Sequence, residues 1–217
     1  MAAKDRVITP HTAQRKPLLL VDIDGVVSLF GTPDDSVGER AGAAEHEIRG
    51  TFHAIDGIPH FLSSTAAGHL LRLRDSFELV WASGWEEKAN EHLPRLLGLP
   101  GPLPFLRFAR RPESGSPTRA HWKLEAIDSY AGDRPLAWID DAFNPACHEW
   151  AHARRAPTLL VSTLPARGLT QAEARELLRW AAPTRASWRN SQSSRSPTTT
   201  ARTTSPPPRP PGPTRGR

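Results

Sequence analysis

The run KPLLLVDIDGVVSLF, residues 16–30, sets five apolar residues (Leu18, Leu19, Leu20, Val21 and Ile23) against two acids, Asp22 and Asp24, followed at once by Gly25. A continuous apolar run of this kind marks a central strand of a parallel sheet, covered on both faces. Carboxylates at the end of a buried strand are costly unless a cation or a proton shares their site. In an open α/β sheet, ligands sit at the carboxyl ends of the strands, so these two acids point to a binding site.

Outward from that run, strands and helices alternate. FELVWAS (77–83), PLAWIDD (135–141) and PTLLVS (157–162) read as further buried strands, and LPFLRF (103–108) as a short one. AAGHLLRLRDS (66–76), WEEKANEHLPRLLGL (85–99), HWKLEAIDSYAG (121–132) and NPACHEWAHAR (144–154) read as helices, the second broken at Pro94 and the third stopped by Gly132. GLTQAEARELLRWA (168–181) is a helix opened by a capping box of Thr170 and Glu173. Strands joined by helices imply right-handed crossovers and a three-layer α/β architecture, a Rossmann-like parallel sheet.

One segment interrupts the alternation. Residues 31–65 separate the first strand from its helix, and within them RGTFHAIDGIPHFLS (49–63) has β-rich arms around Asp56-Gly57. That is a hairpin signature. The expectation is a small flap or cap over the end of the first strand; a surface excursion without chemical role fits the same residues.

Composition bounds the rest. The 217 residues suffice for one domain with a real core. We expect an N-terminal extension over 1–15, one α/β domain over 16–182 and a disordered tail over 183–217. The tail holds seven arginines, eight prolines and no acid, so the remaining chain carries 21 basic against 23 acidic residues and the whole net charge of +5 arises in the tail. It has no apolar periodicity with which to offset its chain entropy. Its arginines suit contact with nucleic acid or acidic partners, although a solvated extension without a role explains the same composition. No apolar stretch is long enough to cross a membrane, and MAAKDRVITPHTAQRK lacks the apolar centre of a secretory signal. Cys147 is the single cysteine, so no internal disulfide can form, as expected in the cytoplasm. It reads as a small buried apolar residue.

Three apolar strands end in polar groups: LLLVDID in Asp22 and Asp24, ELVWAS in Ser83 followed by Gly84, and LAWIDD in Asp140 and Asp141. HWK sets Lys123 at the start of a helix. Four acids at one sheet edge repel strongly without a divalent cation among them. Hard oxygen ligands suit Mg²⁺, which also meets substrate phosphate.

Asp22-Ile23-Asp24-Gly25-Val26, strand-end Ser83, Lys123 opening a helix and strand-end Asp140-Asp141 resemble the four ordered motifs of the haloacid dehalogenase (HAD) superfamily, over residues 16 to about 162. LVWASGWEEKAN and LAWIDDAF are further similar to small actinobacterial HAD-like proteins, some grouped with RNA-repair phosphatase domains. The resemblance implies a Mg²⁺-dependent phosphomonoesterase. Asp22 would attack phosphorus to give an aspartyl-phosphate. Asp24 would protonate the leaving oxygen and later take a proton from water. For Asp24 to turn back over the site, the strand must end near Asp22, and Gly25 permits the turn. Ser83 and the Gly84 amide would hold phosphoryl oxygens, and Lys123 would neutralise charge on both the phosphoryl group and Asp22. The metal ligands implied are the Asp22 side chain, the Asp24 backbone carbonyl and Asp140, with Asp141 assisting; which of the last two ligates directly stays open, and Asp141 also suits a helix cap.

Other residues are weaker candidates. His46, His53, His60 and His121 lack the paired spacing of a zinc site, although His121 is close to Lys123 in sequence and His53 and His60 lie on the hairpin. Trp81, Trp85 and Trp122 flank the motifs and read as core or pocket walls, with stacking on a base as the functional alternative. Without a large cap the site should admit a bulky substrate, such as a phosphorylated nucleic-acid end, a nucleotide or a phosphoprotein. The alternative is a HAD-fold module that binds a phosphorylated ligand with little turnover; the Asp22/Asp24 pair argues against it, because binding needs no Asp24. A dehalogenase needs neither Asp24 nor Mg²⁺.

Overall fold

The computed structural model describes residues 16–30, 48–109 and 120–193. Strand β1 (Leu18–Val21) is paired in parallel with β5 (Glu78–Trp81) on one side and β6 (Leu136–Asp140) on the other, and β6 carries β7 (Thr158–Ser162), giving the order β5-β1-β6-β7. All four residues of β1 are fully buried, which explains why its sequence does not alternate. Leu19 and Val21 enter one core with residues of α1 (Ser64–Leu73), α2 (Lys88–Leu97) and α5 (Gln171–Ser193). Leu18 and Leu20 enter the other with residues of α3 (Leu124–Ala131) and α4 (Pro145–Ala153). The period of two along a strand thus divides β1 between two cores, and the fold is the three-layer α/β architecture expected.

The hairpin forms as read: β3 (Gly50–Ile55) pairs antiparallel with β4 (Ile58–Ser63). Asp56 and Gly57 both take positive φ, 52° and 79°, as a two-residue type I′ turn requires. The unexpected element is β2 (Ser28–Leu29), which pairs with Leu62 and Phe61 of β4. Two residues are too short to leave a periodic signal, yet they stitch the hairpin to the chain directly after the two acids. The hairpin ends without a spacer, since Ser63 closes β4 and caps α1 by accepting the Ala66 N–H at 3.1 Å.

Three local expectations are modified. Helix α2 continues through Pro94 and stops at Gly98, whose φ of 65° is left-handed; a single proline removes one hydrogen bond without ending an otherwise amphipathic helix. LPFLRF contributes one bridge only, Phe105 to Trp81, with Trp81 N–H donating to the Pro104 carbonyl and Leu106 N–H to that of Trp81. Pro104 has no N–H to extend a ladder. Helix α5 begins as read, with the Thr170 N–H donating to Glu173 at 2.8 Å, but runs to Ser193, past the boundary expected at Ala182. Pro183 again fails to stop a helix already propagating. Residues 1–15, most of the 31–49 connection, and 194–217 of the tail lie outside the described residues, as does His46. Among the described residues no helix is long and apolar enough to cross a membrane.

Candidate active site

The carboxyl ends of β1, β5 and β6 converge on a cavity of about 190 Å³. Asp22, Asp24, Ser83, Gly84, Lys123, Asp140 and Asp141 line it, together with Phe30, Trp122 and Ala142. It lies at the switch point, where the chain departs from β1 to β5 on one side and to β6 on the other.

The turn after β1 aims the two acids. Val27 and Ser28 N–H both donate to the Ile23 carbonyl, and Gly25 N–H donates to that of Ser28 at 2.8 Å. This closed turn ends the strand alternation at Asp22, so Asp24 faces the same cavity. Gly25 has φ +70°, and a β-carbon there would come within 2.5 Å of the Asp141 carboxyl carbon. Thr163, beyond β7, donates its hydroxyl to the Gly25 carbonyl at 2.8 Å and pins the turn from below. Gly25→Ala is expected to destabilise the fold by about 1–2 kcal/mol from the left-handed backbone alone, and to displace Asp141. Thermal unfolding checks it; an unchanged midpoint would show that the turn accepts the side chain.

Lys123 is the cation that shares the buried acids. Its Nζ lies 2.9 Å from Asp22 and 2.7 Å from Asp140. The side chain leaves a short 3₁₀ turn (Ala120–Lys123) that leads into α3 and is 5% exposed. Burial pulls the Lys123 ammonium down, but Asp22 and Asp140 outweigh it and hold the group well above its ordinary value. One cation does not balance the acids. Burial, and then Asp22, push Asp140 up to about 7 and Asp141 up to about 6. Asp24 is raised by burial and then by Asp22, with the Trp85 N–H acting against them. The Asp140 carboxylate also accepts the Ala142 N–H at 3.0 Å. One oxygen each from Asp22, Asp140 and Asp141 lies within 4.8 Å of the others, a cluster of hard ligands suited to a metal ion.

The tryptophans divide. Trp81 is fully buried core. Trp122 lines the cavity beside Gly84, packed on Phe108 at 4.6 Å. Trp85 donates its indole N–H to Asp24 at 2.9 Å. His60 meets the Trp85 ring edge-on at 4.9 Å, whereas His53 bonds Thr51 on the exposed side of the hairpin. The His121 side chain is outside the described residues. Sequence reasoning passed over Phe30 and Thr163; a polar residue just past the fourth buried strand was the available signal for the latter.

A parallel sheet covered on both faces, with paired acids, a serine, a lysine and further acids at its strand ends, defines a HAD-superfamily domain of the hydrolase, phosphatase-type class. The chain belongs to one family of that class: residues 18–174 match the HAD domain in Swiss Army Knife RNA repair proteins. No curated protein matches it.

Proposed function

We propose that the chain is a Mg²⁺-dependent phosphomonoester hydrolase acting through an aspartyl-phosphate on Asp22. The observation that carries this reading is Lys123, paired at once with Asp22 and Asp140 in the cavity that Asp24 and Ser83 also line. Lys123 holds the Asp22 carboxylate in place and would offset the charge that gathers between it and the phosphoryl group. The Asp22 oxygen attacks phosphorus, the bond to the leaving oxygen breaks, and Asp24 supplies the proton which that oxygen needs. Water then gives a proton to Asp24 and attacks the aspartyl-phosphate, which releases inorganic phosphate and restores Asp22. The Ser83 hydroxyl and the Gly84 N–H hold equatorial phosphoryl oxygens through both displacements.

The donor set fits a small dication. Three carboxylates cluster there and Lys123 pairs with two of them, while burial, and then Asp22, raise Asp140 and Asp141. When bound, Mg²⁺ would offset charge between the phosphoryl group and its nucleophile. Asp22, the Asp24 carbonyl and Asp141 would hold it. Asp140 is already engaged by Lys123 and the Ala142 N–H, which leaves Asp141 to meet the ion directly.

Phe30, 52% exposed, and Trp122 line the same cavity. Aromatic faces beside a phosphate site suit the base of a nucleotide or nucleic-acid end, which agrees with the RNA-repair context of the family. The test is release of phosphate in Mg²⁺ from sugar phosphates, nucleotides and end-phosphorylated oligonucleotides. No release from any of them would sink the reading. Removing residues 194–217, with their five arginines, should leave turnover of small substrates unchanged. It should weaken oligonucleotide binding and flatten the dependence of log affinity on log salt, by about 0.7 for each single-strand phosphate that the arginines cease to neutralise. Equal affinities and slopes for both forms would make the arginines bystanders.

A further inference from the structure

Two neighbours of Asp24 have no task in the hydrolytic mechanism. Trp85 donates its Nε1–H to Asp24 Oδ2 at 2.9 Å. The Trp85 ring is in turn met edge-on by His60 of β4, with centroids 4.9 Å apart and planes at 71°. His60 Nδ1 is hydrogen-bonded to Ser28 Oγ at 2.9 Å, and Ser28 is buried and backbone-bridged to Asp24 itself. The chain of contacts therefore starts at Asp24, runs through Trp85 and the hairpin, and returns to the residue paired with Asp24.

We propose that Trp85 is a positioning residue for Asp24, locked by His60 of the hairpin, and that its N–H makes Asp24 Oδ1 the oxygen that delivers the proton. This inference rests on the phosphatase reading and deepens it. A neutral carboxyl has one O–H and one carbonyl oxygen, and an indole N–H can only donate. The oxygen that accepts from Trp85 is therefore the carbonyl one, and the proton sits on Oδ1. Asp24 lines the cavity, so that proton can pass to the leaving oxygen as the P–O bond breaks, and Oδ1 takes one back from the attacking water. Among the described residues, the other charged or titratable groups around Asp24 are Asp22, Lys123, His60 and Asp141. Lys123 is committed to Asp22 and Asp140, His60 is bonded to Ser28, and the other two are acids. That leaves the indole N–H to hold the Asp24 carboxyl in one orientation. The insertion after the first strand thereby acquires a chemical role: it fixes the ring that fixes the acid.

Trp85→Phe keeps an aromatic ring against His60 and removes only the donor. The full chain would be assayed in Mg²⁺ on two probes. Glycerol phosphate has an alkoxide leaving group that needs a proton, and 4-nitrophenyl phosphate has one that departs without it. For Trp85→Phe, kcat/KM on glycerol phosphate should fall about tenfold, while kcat/KM on 4-nitrophenyl phosphate, which reports the first displacement and needs no proton there, should stay within about twofold. His60→Gln should show a smaller loss in the same sense, and it decides the matter by the same ratio if Trp85→Phe does not fold. Equal losses on both probes, or no loss on either, would overturn the inference. A wild-type chain inactive on both probes and on the wider substrate set would instead overturn the phosphatase reading, and this inference with it.

Discussion

Asp22→Asn is expected to abolish turnover of every phosphomonoester, a loss on the order of 10⁴-fold or more, as when other covalent catalysts lose their nucleophile. An amide oxygen carries no full charge with which to attack phosphorus, and Lys123 would be left with one carboxylate partner in place of two. The substitution also removes a negative charge from a site with more acids than cations, so the protein should remain folded and still bind a phosphorylated ligand. Steady-state rates and trapping of a phosphorylated protein would be measured together. The wild-type chain should yield an acid-stable, hydroxylamine-labile phosphoenzyme, and Asp22→Asn none. Wild-type rates in Asp22→Asn would end the covalent mechanism.

Removal of the metal should have an effect of comparable size. Excess chelator is expected to eliminate activity, and added Mg²⁺ to restore it. The requirement should also depend on pH with a definite sign. Burial, and then Asp22, raise Asp140 to about 7 and Asp141 to about 6 from an ordinary value of 3.8. An acid raised in the folded state favours folding while protonated, and that contribution is lost as pH climbs through its folded value. The metal-free protein should therefore lose stability from about pH 4 to pH 7. Mg²⁺ should restore most at the upper end, where the acids are ionised. On acidification through the Asp141 value of about 6, protons compete with the ion for that carboxylate, so the Mg²⁺ concentration for half-maximal activity should rise. Thermal unfolding and metal titration across that range check both signs. Full activity in excess chelator would revive a metal-free hydrolase.

The sheet was legible because its strands are buried on both faces. Leu18–Val21 and Leu136–Ile139 carry no polar residue for a reader to misplace, and the acids that follow them mark where burial ends. The hairpin was legible because Asp56-Gly57 is a local turn chemistry. Proline was harder to weigh. Pro94 and Pro183 did not end helices that neighbouring turns sustain, whereas Pro104 reduced an expected strand to one bridge. In each case the outcome depended on how many other hydrogen bonds the element could make, which a single residue does not report.

The candidate site divides along the same line. The order of residues along the chain was enough to set the acids, the serine and the lysine at strand ends and helix starts, because strand burial and turn formation are short-range and leave periodic traces. It was also enough to require a cation or a proton among those acids. How that cation is divided is a matter of packing, with Lys123 between Asp22 and Asp140 while Asp141 lies against Gly25. Packing likewise brought Trp85 to Asp24 across 61 residues, and His60 to Trp85 from a separate sheet. Those contacts depend on how β2, β4 and the loop after β5 meet in three dimensions, and a side-chain hydrogen bond between distant residues imposes no period on the chain.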